Sequence, residues 1–195
     1  MNNQPIFTLN KELASKAGGG DFISETGYYV GSIDKAQYVV AATGTMGLEL
    51  SVTTDGGKAN YLTLYYSKSD KSIIAGGSNM IQAIMAVTGC NTLSADQANG
   101  AQGVEHVAPE LQGKHLGLVL QKVLYTKNDG SDGYKFQIVT VSNQQKQTAK
   151  EMIEQKQAAK IDLMLETLKD KDERQAGKAS NQAQSYGDTG YGQQF

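Results

Sequence analysis

Residues 47–66 read GLELSVTTDGGKANYLTLYY, two alternating runs on either side of Asp55-Gly56-Gly57. Leu48, Leu50 and Val52 alternate with Glu49, Ser51 and Thr53, and Leu62, Leu64 and Tyr66 alternate with Tyr61, Thr63 and Tyr65. A period of two puts successive side chains on opposite faces of a strand. Asp-Gly-Gly supplies the positive φ values that a tight hairpin turn demands. The stretch therefore predicts a β-hairpin with one aliphatic face packed on a core, and a second face carrying Tyr61 and Tyr65 among small polar residues.

Upstream, GYYVGSIDK (27–35) reads as a first strand, with Gly31 marking a bend or bulge. Tyr38, Val39 and Val40 favour its continuation to the break at Gly44 and Gly47. Downstream, Ser78 is placed to cap a helix whose stripe of Met80, Ile81, Ile84, Met85 and Val87 faces the core and whose C-terminus closes at Gly89. Residues 90–113 show no period and read as a long connection. KHLGLVLQKVLYT (114–126) and YKFQIVTV (134–141) flank the turn-forming KNDGSDG and predict two further strands. The order strand, strand, strand, helix, strand, strand is that of an OB-fold, a five-stranded Greek-key barrel with its helix between strands three and four.

Around this barrel domain, residues 21–143, the composition changes. Residues 1–20 end in Gly18-Gly19-Gly20 and read as a flexible arm, and 175–195 are low-complexity and read as a disordered tail. Between Asn143 and Arg174 the apolar residues recur at helical spacing, predicting a C-terminal helix over 144–174. Its Met152–Leu168 stripe must dock on the barrel or pair with a copy from another subunit, making a homo-oligomer.

A net charge of −2 is spread evenly, with ten lysines against twelve acids in 1–143 and eight basic against eight acidic residues in 144–195. Counterion release from a basic arm is thus not available. The single arginine, Arg174, lies outside the barrel, which disfavours bidentate readout of duplex base edges. One cysteine, Cys90, allows no internal disulfide, and neither a leader-like start nor a run of about 20 apolar residues is visible. These features predict a soluble cytoplasmic protein.

Catalytic signals are sparse. His106, His115 and Cys90 have no zinc-site spacing. The Gly-Gly pairs lack the Lys-Ser/Thr ending of a phosphate loop, and no G-x-S-x-G elbow occurs. No cofactor or metal site is expected, and the protein reads as a non-enzyme. A nuclease built from scattered acids would leave no local motif and is decided by a cleavage assay with divalent metal. What does stand out is aromatic: Tyr28, Tyr38, Tyr61, Tyr65, Tyr125, Tyr134 and Phe136 fall in strands or at their ends. Lys35, Lys58, Lys68, Lys71, Lys122 and Lys135 flank the same strands. Stacking platforms beside lysines are how single-stranded nucleic acid is held without sequence readout, each base contributing about 1–3 kcal/mol. The bland reading of the same tyrosines is ordinary strand residues whose hydroxyls reach the surface.

The segments GGGDFISETGYYVGSIDKAQYV, GTMGLELSVTTDGG and YLTLYY resemble a group of small bacteriophage proteins encoded with replication and recombination genes. The shared pattern is Gly-x-Tyr-x-x-x-Ile in the first strand, here Gly27, Tyr29 and Ile33, then a glycine-led second strand and a third ahead of a helix. The resemblance spans Asp21 to Gly89 and implies an OB-fold protein that coats single-stranded DNA. The C-terminus is similar to that of single-strand binding proteins whose flexible acidic tail ends in an aromatic residue and docks on replication partners. Phe195 fits that pattern, and Asp188 is the only acid in the last 21 residues, 175–195. The alternative class is a structural or adaptor protein acting through the C-terminal helix and tail.

Overall fold

The computed structural model of the chain describes residues 22–100 and 103–174, with residues 8, 9 and 11. The segments expected to be a flexible arm and a disordered tail, the latter with Phe195, fall almost wholly outside the described residues.

The hairpin at 47–66 forms as its alternation requires. Strand β1 (Gly27–Val40) pairs antiparallel with β2 (Met46–Thr54), and β2 with β3 (Gly57–Ser67). Leu48, Leu50 and Val52 are fully buried, and Leu62 and Leu64 pack on them from β3. Gly31 is required by close approach, since a Cβ there would sit 2.2 Å from the Thr53 carbonyl oxygen. The bulge itself falls between Ile33 and Lys35, and Asp34 accepts a hydrogen bond from the Thr53 hydroxyl at 2.6 Å.

Helix α1 (Ala75–Thr88) starts one turn earlier than a Ser78 cap would place it, with Ile74 at the N-cap and Ser78 donating its N–H to the Ile74 carbonyl. The glycines ahead of Ser78 serve packing: a Cβ on Gly77 would lie 1.9 Å from the Tyr65 carbonyl oxygen. Its end matches expectation, with Gly89 left-handed at φ 69°. Ile84 and Val87 enter the core.

Residues 90–113 are not an unstructured connection. They form the hairpin of β4 (Asp96–Gly100) and β5 (Gly103–Val107), then a single 3-10 turn at Pro109–Leu111. The strands are polar, so no alternation announces them. Their register is imposed by β1, through Gln37 opposite Val107 and Tyr38 opposite His106, and by the Lys35–Glu105 ion pair.

Strand β6 (His115–Thr126) pairs with the first half of β1 and, on its other side, with β7 (Asp132–Ser142). The result is mainly β, an open, essentially antiparallel sheet of eight strands rather than the expected five. One five-strand run is β3-β2-β1-β6-β7, and a second, β3-β2-β1-β5-β4, branches from it at β1. β3 and β7 at the two ends of this run curl into contact, and among the described residues no ladder joins them.

The continuous helix expected over 144–174, with its Met152–Leu168 stripe, is replaced by α2 (Ala149–Ile153), α3 (Lys160–Leu165) and the short strand β8 (Lys171–Asp172), which runs parallel to β6. The break has a local cause. Gln155 is left-handed at φ 53°, and the buried Glu151 side chain closes a capping box with Thr148 while accepting the N–H groups of Ala159 and Lys160. One carboxylate thus caps both helices. Ile161, Val119 and Val123 are buried apart from the main core, α3 contacts β1 and β8 pairs with β6, so the segment docks on that part of the sheet. Among the described residues no helix is long and apolar enough to cross a membrane.

Candidate nucleic-acid interface

Where β3 and β7 meet without pairing, their side chains line a cleft of about 340 Å³. On the β3 side the local geometry is unusual. Leu50 faces Leu62 and Val52 faces Ala59, so Asn60 and Tyr61 together stand opposite Ser51 alone. The extra residue is a β-bulge, which bends a strand and re-aims a side chain. Tyr61 takes a left-handed φ of 60°, a conformation that bulky residues rarely adopt. The residue is 78% exposed.

The base of the cleft is apolar. Phe22 bridges to Lys58, the Ile23 N–H donates to the Lys58 carbonyl at 3.1 Å, and Ile23 and Ala59 are both buried. On the opposite wall, Tyr134 and Phe136 meet edge to face with ring centres 5.8 Å apart. Tyr134 is half exposed, and the Lys122 ammonium lies 4.7 Å from its ring centre. Tyr125 and Lys135 complete that wall, with the Lys135 ammonium 5.8 Å from the Tyr125 ring centre.

The structure therefore brings Tyr61, Tyr125, Tyr134, Phe136, Lys58 and Lys135 into one cleft, with Lys122 against Tyr134. Phe22 and Asn60 join them and were not anticipated. An aromatic residue two positions past the glycine joint is the one signal that points to Phe22.

The other anticipated residues lie elsewhere. Tyr28 packs its ring over Gly117, bonds its hydroxyl to Ser142 and is covered by the Lys146 ammonium at 5.0 Å. Tyr38 donates its hydroxyl to the Ser94 carbonyl at 3.0 Å and borders a second, apolar groove with Tyr66 and Leu93. Burial, then the neighbouring Tyr66 and Glu110, push its hydroxyl above the ordinary tyrosine value. Tyr65 is 42% exposed but stands over Gly47, farther along β3. Lys35 is held by Glu105. Lys68 and Lys71 sit in the turn beyond β3, where Lys68 N–H donates to Ser72. At about 3.3 Å per residue that turn is roughly 30 Å along the strand from Lys58.

Chemically, the cleft offers flat rings over an apolar base, with ammonium groups at its rim. Cys90 is occupied as a donor to the Glu110 carbonyl, and among the described residues no three His, Cys, Asp or Glu side chains come together to hold a metal ion. Compared with protein-family models and with curated proteins, the chain matches none.

Proposed function

We propose that the protein is a non-enzymatic, non-sequence-specific single-stranded DNA-binding protein acting in phage replication or recombination, with the cleft between β3 and β7 as its binding site. The observation that carries this reading is Tyr61. A large aromatic ring is held in a strained backbone conformation and turned into solvent beside Tyr134, where burial gives it little reward. Strain of this kind, on the order of 1–3 kcal/mol, persists where surrounding structure enforces it and gathers at ligand sites. The run β3-β2-β1-β6-β7, with α1 between β3 and β6 in the chain, supports an OB-fold barrel open at one seam, with β4-β5 and β8 as additions. Replication or recombination partners docking through Phe195 belong to the same reading.

Fluorescence anisotropy of a labelled oligo-dT, competed with duplex, tests it. Micromolar or tighter single-strand binding is expected. Tyr61→Ala with Tyr134→Ala removes two platforms, about 2 kcal/mol at the low end, and weakens binding by roughly thirtyfold. The melting temperature should fall only slightly, because Tyr61 is largely exposed and Tyr134 half exposed. Absence of wild-type binding at 50 mM salt would end the proposal.

Ile153 and Leu163, 72% and 63% exposed on α2 and α3, favour an adaptor or self-associating role as a second reading. Self-association in sedimentation that disappears in Ile153→Ser, without any DNA affinity, would favour it over the first.

A further inference from the structure

The residues after α3 form a strap along β6 beside the cleft, and its attachments are specific. The Gln121 side-chain amide donates to the Lys169 carbonyl at 2.7 Å, and the Thr26 hydroxyl donates to Asp170 at 2.6 Å. β8 adds to β6 at Val123 and Leu124, and the Glu173 N–H continues the ladder to the Leu124 carbonyl at 2.9 Å. Arg174 then grips Asp172 through two nitrogens, at 2.6 and 2.9 Å, and Asp132 at the start of β7 through a third, at 2.7 Å. The lone arginine is consumed in fastening the strap.

This fastening fixes where Glu173 goes. Its carboxylate lies 2.8 Å from the Lys171 ammonium and 3.8 Å from that of Lys135, and Lys135 lines the cleft. The hydrogen bond from Lys171, with the charges of Lys171 and Lys135, holds the Glu173 carboxyl below its ordinary value. The acid therefore stays ionised at neutral pH and opposes any phosphate that approaches Lys135.

We infer that the β8 strap is a built-in competitor, in which Glu173 stands in for a nucleic-acid phosphate at Lys135 and lowers the affinity of the cleft. The inference rests on the reading of that cleft as a nucleic-acid site. A surface ion pair of this kind is weak, so the competition attenuates binding without abolishing it. It acts through one cation, and this gives it a distinct signature. A lysine freed for one more phosphate on a single strand adds about 0.7 to the salt slope, worth up to about eightfold at 50 mM salt.

The test is a double-mutant cycle on the full chain with labelled oligo-dT, using Glu173→Gln, Lys135→Gln and the double variant across a salt series. Glu173→Gln is expected to bind about three- to eightfold more tightly at 50 mM salt, with a slope steeper by up to about 0.7. That gain should vanish in the Lys135→Gln background. Equal gain in both backgrounds, meaning a general charge effect, overturns the inference while leaving the cleft as the site. Unchanged affinity in Glu173→Gln, against a wild type that binds, overturns it too. If no form binds, the reading of the cleft fails and takes the competitor with it.

Discussion

Replacing Glu151 by Gln should unlock the C-terminal segment from β6, and the structure sets the size of the effect. One carboxylate oxygen accepts the N–H groups of Ala159 and Lys160, both at 2.9 Å. The other accepts the Thr148 N–H at 2.9 Å and its hydroxyl at 2.8 Å. Burial alone would raise the carboxyl's pKa, but hydrogen bonds from Lys160, Thr148 and Ala159 outweigh it and bring the value to about 2 from the ordinary 4.5. A folded-state value below the unfolded one means that the ionised form favours folding. The contribution is complete above pH 4.5 and is lost as pH falls through about 2. At 1.36 kcal/mol per pKa unit it amounts to at most about 3 kcal/mol. The amide of Gln keeps one acceptor and turns an NH₂ toward two donors, and two unsatisfied donors cost a similar amount. Urea melts of both proteins at pH 7 should therefore differ by about 2–3 kcal/mol, or roughly 5–10 °C in Tm for a chain of this size. At pH 3 more than half of that difference should be gone. A gap under about 0.5 kcal/mol at pH 7, or one that does not change with pH, would refute the capping role.

Two further substitutions probe the backbone. Gly77→Ala drives a methyl group into the Tyr65 carbonyl, so α1 must shift from β3, and a loss of about 2 kcal/mol or more in a chemical melt is expected; a neutral result would mean that the helix start is loosely seated. At most positions Ala is more stabilising than Gly by about 0.5–1 kcal/mol, yet at Tyr61 the left-handed backbone reverses the order. Tyr61→Gly should melt above Tyr61→Ala by about 1 kcal/mol, and the usual order would show that the bulge is unstrained.

The readable part of the fold was the part written in local chemistry. Period-two alternation and Asp55-Gly56-Gly57 delivered the β2-β3 hairpin with its buried Leu48, Leu50 and Val52, and Gly89 marked the end of α1. Where a strand draws its register from a neighbour, as β4 and β5 do from β1, composition says nothing, because Asp, Gln, Asn and Gly are turn formers by propensity. The C-terminal helix misled for a related reason. Helical spacing from Met152 to Leu168 is real, but Glu151 caps two short helices instead of adding to one long one, and that choice depends on donors eight and nine residues away. The candidate site was half legible. Exposed strand tyrosines could be named from alternation, but Phe22, Tyr61, Tyr125 and Tyr134 meet only because the sheet curls. Tyr28 and Tyr38 fail to join them because each hydroxyl finds a tertiary partner, Ser142 in one case and the Ser94 carbonyl in the other.

The same curl explains why stacking rather than charge should dominate the proposed binding. Two strand ends that approach without pairing leave backbone edges open, and such edges invite aggregation unless they are blunted. Here the blunting is done by the Phe22–Ile23 segment bridging to Lys58 and by the bulge at Tyr61. Both devices bring rings to the seam. Two of the lysines at the seam are already engaged: Lys122 lies over Tyr134, and Lys135 lies over Tyr125 with Glu173 at 3.8 Å. A phosphate must exchange with those contacts, so each ion pair gains little, whereas a base entering beside Tyr61 meets a residue that is 78% exposed. A strand bound in this way should show a shallow salt slope, equivalent to about two to four phosphates, and should lose most of its affinity through the rings.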